Sequence, residues 1–363
     1  MSNNKKKKGP QKVVSHKTGA PIAPSQPPEV SAETKKERKN IAKHSTIIFV
    51  FTAVALLVIF AGRWVFAITN GYYDTFVNHG DAIASATANM EGLTPSEGEA
   101  ASMLELEKMW DLFASSRLCD EITITAQDGI DLHGYLYDQG SDTTVIYIPR
   151  FAQDGTSDFL PGVWLSGQHG YNLLLLDQRT HGKSGGEVFS YGYFEQQDLA
   201  DWLDWTENTL GSQHLLIWGE GTGANTALFA EASGLLDDRV ELIVAESPYG
   251  SLHQLASRNI FHWFTVPAFP FLYTIEWKLN HGDAGYQISD TNLQKALEGA
   301  DCATPVLFLS CSEDDYILPQ WTEAVTEAYS GEKQAITGGS SHGTVYIDRQ
   351  QDIQEVINSY MAS

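Results

Sequence analysis

From Ser45 to Gly62 the chain reads STIIFVFTAVALLVIFAG, eighteen residues without a charge, and Arg63, Trp64 and VFAI follow. A run of that length and apolarity crosses a hydrocarbon core as a helix. The rival reading is a cleaved signal peptide, whose positive region here would exceed forty residues and which lacks an A-x-A site before a polar start. The sequence therefore predicts one uncleaved transmembrane helix over residues 45–68. Eleven of the 23 Lys and Arg residues, Lys5 to Lys43, precede it, against only Glu29, Glu33 and Glu37. The positive-inside rule then places the amino terminus in the cytoplasm and the main domain outside the cell membrane. Trp64 and Phe66 suit an outer aromatic belt, with Arg63 reaching the head groups. Residues 1–44 read as a basic, disordered arm. Its charge serves either to touch anionic lipid or only to fix topology.

The remaining chain holds 12 basic against 43 acidic side chains, a balance that opposes binding of the domain to nucleic acid or anionic lipid. The 363 residues leave room for one globular domain of roughly 250 after the arm and span. Cys119, Cys302 and Cys311 are too few for a disulfide framework, and the last two bracket a predicted strand, so free thiols are expected.

Residues 69–118 are predicted to form a stalk ending in an amphipathic helix, because Met103, Leu104, Leu106, Met109, Trp110, Leu112 and Phe113 recur at helical spacing. From Glu121 the pattern turns to short β-rich runs: EITITA, DGIDLHGYLY, TTVIYIP, YNLLLLD, HLLIWG, VELIVAE, PVLFLSCS and EKQAIT. Helical stretches separate the later ones. The alternation predicts an α/β fold over residues 119–363, a mostly parallel, doubly wound sheet with crossover helices. An aromatic-rich, proline-broken insertion at about 249–302 reads as a small helical cap over the carboxyl edge of the sheet.

Ligands of such sheets bind at the carboxyl ends of the strands, so the turns leaving them carry the chemistry. Asp177 opens DQRTHGKSGG, which resembles the D-x-R-x-H-G-x-S-x-G element of the α/β-hydrolase superfamily, where it is chiefly architectural. With the opening EITITAQDGIDLHGYLY, the resemblance runs from about Asp120 to Met361 and points to bacterial hydrolases of the serine aminopeptidase and S9-like group. It implies structural roles for Asp177, Arg179, His181 and Gly182.

The same resemblance places the nucleophile elbow, G-x-S-x-G between a strand and a helix, at Gly219-Glu220-Gly221-Thr222-Gly223, with Gly221 in the serine position. A shifted register with Thr222 as nucleophile would set Glu220 and Ala224 where small residues are required, and a β-branched residue tolerates that strained backbone badly. DYILP resembles the family's acid turn, giving Asp315 as the acid, while a slip of one residue would name Asp314. GGSSHG resembles the histidine turn and makes His342 the base. Backbone N–H groups of Phe151 and Thr222 are the expected oxyanion donors, although the family's His-Gly is replaced by Pro149 and Arg150.

Without an alcohol at position 221 the acyl-enzyme route is closed. The sequence then predicts a pseudo-hydrolase whose former cleft binds a small molecule, peptide or envelope partner. The alternatives are an ester or amide hydrolase in which Asp315 and His342 activate water, and a purely structural scaffold. No metal or cofactor is expected: the histidines show no paired ligand spacing, and GEGTGAN lacks the lysine of a phosphate loop.

Overall fold

A computed structural model describes residues 31–77, 96–156 and 159–361. The expected disordered arm up to residue 30 and the stalk segment 78–95 lie outside the described residues. Helix α1 runs from Ala32 to Phe76 without a break, so residues 32–44 are helical and the segment after residue 68 opens as helix. It straddles two units, one ending at Ala61 and one beginning at Gly62. Its apolar stretch is long enough to cross a membrane, a property shared by anchors and signal sequences.

Within the second unit, α2 (Glu97–Ser115) is the predicted amphipathic helix. Ser96 and Glu99 close a capping box at its start, each satisfying a backbone N–H that the helix leaves unpaired. Of the apolar stripe, Trp110 and Phe113 are buried against Tyr137, and Trp110 also meets Phe159, whereas Leu104, Met109 and Leu112 stay exposed.

The sheet has eight strands: β1 (Asp120–Thr125), β2 (Asp131–Tyr137), β3 (Thr143–Ile148), β4 (Asn172–Leu176), β5 (His214–Glu220), β6 (Val240–Glu246), β7 (Val306–Ser310) and β8 (Lys333–Thr337). Their order is β1-β2-β4-β3-β5-β6-β7-β8. β1 and β2 pair antiparallel, β2 pairs antiparallel with β4, and the remaining neighbours are parallel. Strands buried on both faces explain why the central runs are apolar without alternation.

Around the sheet lie α3 (Leu160–His169), α4 (Glu195–Trp205), α5 (Thr222–Ala232), α6 (Leu252–Phe264), α7 (Ala268–His281), α8 (Leu293–Glu298), α9 (Pro319–Ala328) and α10 (Val345–Met361). One face buries Ile146, Ile217 and Ile243 with Trp202 and Leu228. The other buries Val145, Trp218 and Val244 with Trp164 and Ile353. α6 and α7 lie in the segment expected to form the cap, and their apolar residues join a third cluster with Phe151, Tyr191 and Tyr249. α8, inside the predicted cap range, packs instead into the main core through Leu293 and Leu297. Cys302 and Cys311 are buried free thiols, and Cys119 is free and exposed.

Tyr72, Tyr73 and Val77, at the end of α1, belong to that third cluster. The Val77 carbonyl accepts from the Phe189 N–H at 2.9 Å, stitching the helix end to the loop before α4. The stretch after residue 68 is thus partly a wall of the domain rather than a free stalk.

Candidate functional site

The turn from β5 to α5 is shaped by three glycines. Gly221 has φ 52° and ψ −107°, a backbone conformation that side chains other than glycine adopt only under strain. Its N–H donates to the Glu246 carbonyl at 2.8 Å, which ties the turn to the end of β6. A Cβ at Gly219 would stand 2.5 Å from backbone atoms of Gly223 and Ala224, and one at Gly223 would stand 2.0 Å from the Ile148 carbonyl. Only glycine fits at those two places. At Gly221 a Cβ would meet a single neighbour, the Cβ of Arg150 at 3.3 Å. Thr222 is the first residue of α5, almost fully buried, with its hydroxyl 3.4 Å from the Gln178 amide, so it has no exposed oxygen to offer.

His342 follows β8 and is buried, its Nδ1 2.7 Å from Oδ2 of Asp314. The other Asp314 oxygen accepts the Tyr316 and Ile317 N–H groups, each at 2.8 Å. That carboxylate therefore fixes the imidazole with Nδ1 as donor, leaving Nε2 as its basic nitrogen. Asp315, the acid expected from the sequence, does not meet His342. Its side chain is 67% exposed and pairs with Arg258 at 3.0 Å. The tight turn explains the correction: Asp314 receives two N–H groups from residues two and three ahead, which turns its carboxylate inward and its neighbour out. The Tyr316 ring meets the imidazole edge-on at 5.2 Å.

The element beginning at Asp177 acts as a brace. Asp177 is buried and accepts the Gly155 and Lys183 N–H groups at 2.7 and 2.8 Å. A Cβ on Gly182 would lie 2.3 Å from that carboxylate, so glycine is required there. Arg179 makes a two-point ion pair with Asp198 and a third contact to Asp128. His181 accepts the Ala152 N–H on Nε2 at 3.1 Å and donates from Nδ1 to the Arg179 carbonyl at 3.1 Å. It thereby holds the loop after β3 that carries Arg150 and Phe151. Phe151 is buried among Phe189 and Tyr191, with its ring edge-on to His181.

Arg150 was marked in the sequence only as a departure from pattern, yet it organises the site. Its Cβ lies beside Gly221, and its Nη1 lies 3.3 Å from where a Cβ on Gly343 would stand. One side chain thus reaches from the β5–α5 turn to the residue after His342. The guanidinium approaches Glu220 at 3.6 Å. Glu220 stands beside Glu246 in the paired register of β5 and β6. Burial raises the Glu220 carboxyl, while Arg150 acts in the opposite sense. The Glu246 carboxyl is pushed up to about 8, first by burial and then by its neighbour Glu220. Two carboxylates crowded together resist ionising together.

A pH dependence follows. Below about 4.5, the ordinary value for this carboxyl, both folded and unfolded chains hold the Glu246 proton. Between about 4.5 and about 8 only the folded chain holds it, so its stability falls as pH rises through that window. Denaturant unfolding of the full chain in detergent at pH 5, 6, 7 and 8 should show a steeper decline for the wild type than for Glu246→Gln.

The site also borrows from elements far away in sequence. Glu99 of α2 accepts the Ser340 N–H at 2.5 Å and the Ser340 hydroxyl, clamping the turn that carries His342. These hydrogen bonds, with those from Ser96, hold the Glu99 carboxyl at about 2 against the opposing pull of burial. Asn259 of α6 faces the hydroxyls of Tyr72 and Tyr316, so the end of α1 reaches the surroundings of His342. The three-residue spacing of Ser96 and Glu99 and the adjacent Tyr72 and Tyr73 are visible in the sequence, but their long-range partners are not. Among the described residues, no group of three or more His, Cys, Asp or Glu side chains is placed to hold a metal ion.

No family model matches the chain. It is 26% identical over 263 residues to the uncharacterized protein YqkD of Bacillus subtilis, covering 71% of this chain and 84% of that protein. Among solved structures it is similar to the esterase Pf2001 of Pyrococcus furiosus, with TM-score 0.56, 19% identity, and 70% and 95% of the two chains covered. It is also similar to the α/β hydrolase GrgF of Penicillium sp. sh18, with TM-score 0.52, 18% identity, and 68% and 100% covered. The architecture is that of the α/β-hydrolase fold.

Proposed function

We propose that this chain, built on the α/β-hydrolase fold, is a membrane-anchored pseudo-hydrolase that binds a small molecule, peptide or envelope partner in its former catalytic cleft. In this reading α1 is an uncleaved single-pass anchor, and the domain lies outside the cell with its amino-terminal arm in the cytoplasm. It belongs with bacterial hydrolases of the serine aminopeptidase and S9-like group, with Gly221 standing where their serine stands. One observation carries the proposal: Gly221 has the strained turn of a nucleophile elbow but no side-chain oxygen, and Arg150 rests against it. A hydrolase chain lacking its alcohol has no group to form an acyl-enzyme, whatever the state of its base.

A second reading draws on the buried His342–Asp314 pair, which remains able to take a proton from water directly. General-base help of this kind is worth about 10² to 10⁴ in rate. Initial rates of the purified full chain in detergent, on p-nitrophenyl acetate and butyrate, separate the two. Wild type and His342→Ala should both run at the detergent blank. Turnover well above the blank that disappears in His342→Ala would overturn the pseudo-hydrolase reading.

A further inference from the structure

The cap carries an aromatic face that is exposed among the described residues. Along α7, Phe271, Ile275 and Leu279 turn inward and are buried. On the other side, Tyr273 and Trp277 stand one turn apart at 65% and 58% exposure, and Phe269 at the start of the helix is 77% exposed. Exposed aromatic residues of this size, gathered on one helix, mark a contact surface.

The neighbour of α7 identifies what that surface meets. Trp64 of α1 contacts Phe271 edge-on at 5.4 Å, Thr69 hydrogen-bonds Thr274 at 2.5 Å, and Asn70 accepts from Lys278 at 2.9 Å. Residue numbers rise together along both helices, so they run parallel, with Phe269 at the Trp64 end. In the sequence Trp64 comes two residues after the uncharged run closes at Gly62. At 1.5 Å per residue, the helical step from Tyr273 to Trp277 covers about 6 Å, comparable with the interfacial layer in which Trp and Tyr gather at a membrane boundary, and Phe269 precedes it with non-helical backbone angles.

Charge agrees. From Ser251 to Gly282 the only acid is Glu276, against Arg258 and Lys278, in a chain with 43 acids beyond residue 45. Glu276 is itself paired with His253 at 2.6 Å. Arg258 and Lys278 are in turn met by Asp315 and Asp74, so this segment is close to neutral in a domain that is strongly acidic as a whole.

We propose that the Phe269–Tyr273–Trp277 face of α7 beds in the interfacial layer of the lipid bilayer, so that the cap lies on the membrane. This rests on the reading of α1 as an anchor. Phe269 sits deepest, Tyr273 lies among the head groups, and Trp277 marks the outer margin. The roof of the cleft then adjoins lipid rather than open solvent.

The test uses the full chain in phosphatidylcholine–phosphatidylglycerol vesicles, in a Cys119→Ser background whose remaining cysteines are buried. Phe269→Cys, Tyr273→Cys and, as a control on exposed α10, Gln351→Cys are labelled with an environment-sensitive fluorophore and exposed to head-group spin-labelled lipid. The labels at 269 and 273 should be blue-shifted and quenched at least threefold more than the label at 351. Equal quenching at all three sites, in a chain that resists an alkaline carbonate wash, overturns the bedded face and leaves the anchor standing. Release by carbonate overturns the anchor; quenching at 269 and 273 before release then supports the face as a peripheral contact, and its absence overturns both.

Discussion

Gly221→Ser should raise the initial rate of this chain on p-nitrophenyl butyrate by about 10² to 10³ over wild type. The backbone at residue 221 is already bent as an elbow requires, and an added Cβ meets only the Arg150 Cβ, at a distance that a few tenths of an ångström relieves. The gain stays below the roughly 10⁶ associated with a complete catalytic triad, because the loop after β3 carries Arg150 where the family has a small residue. Adding His342→Ala must return the rate to the wild-type level. A serine variant that folds, as judged by its unfolding midpoint, yet stays at the blank would show that position 221 and His342 do not share a reaction centre.

In that serine background, Asp314→Asn should erase the whole gain, whereas Asp315→Asn should change the rate by no more than about threefold. The aspartate of a triad holds the imidazole in the tautomer that can accept the serine proton, and its amide counterpart fixes the wrong one, at a cost of about 10⁴ in a serine protease. Asp314 alone contacts His342 Nδ1, while Asp315 faces Arg258. The comparison is read from kcat on the ester under saturating substrate. Loss of rate in Asp315→Asn with retention in Asp314→Asn would reverse the assignment.

That pair of aspartates shows where the sequence stops being informative. The central strands were legible because parallel strands buried on both faces must be apolar throughout, as in NLLLL and VLFLS, whereas the exposed edge strands β1 and β8 show only short β-rich runs. The β5–α5 turn was legible because backbone crowding at Gly219 and Gly223 allows no other residue. By contrast, Glu313, Asp314 and Asp315 are chemically alike, and only the fold of the turn decides which one looks inward. Arg150 reads only as a departure from the His-Gly pattern until the loop brings it against Gly221. The end of α1 was misjudged for a related reason. Asn70 and Gly71 weaken the local helical signal, and only the cap packed against Tyr72 and Tyr73 accounts for the helix continuing.

The joining of α1 to the aromatic cluster also constrains how such a protein can be used by a cell. Tyr72 is almost wholly enclosed among residues of the main domain. A cut on the carboxyl side of Tyr72 would pull a bulky ring from beside Asn259 and leave a void of its size near Tyr316, which meets His342. On the proposed reading of α1 as an anchor, release of an intact domain therefore needs a cut before Tyr72, between the apolar run and the ring, and not after it.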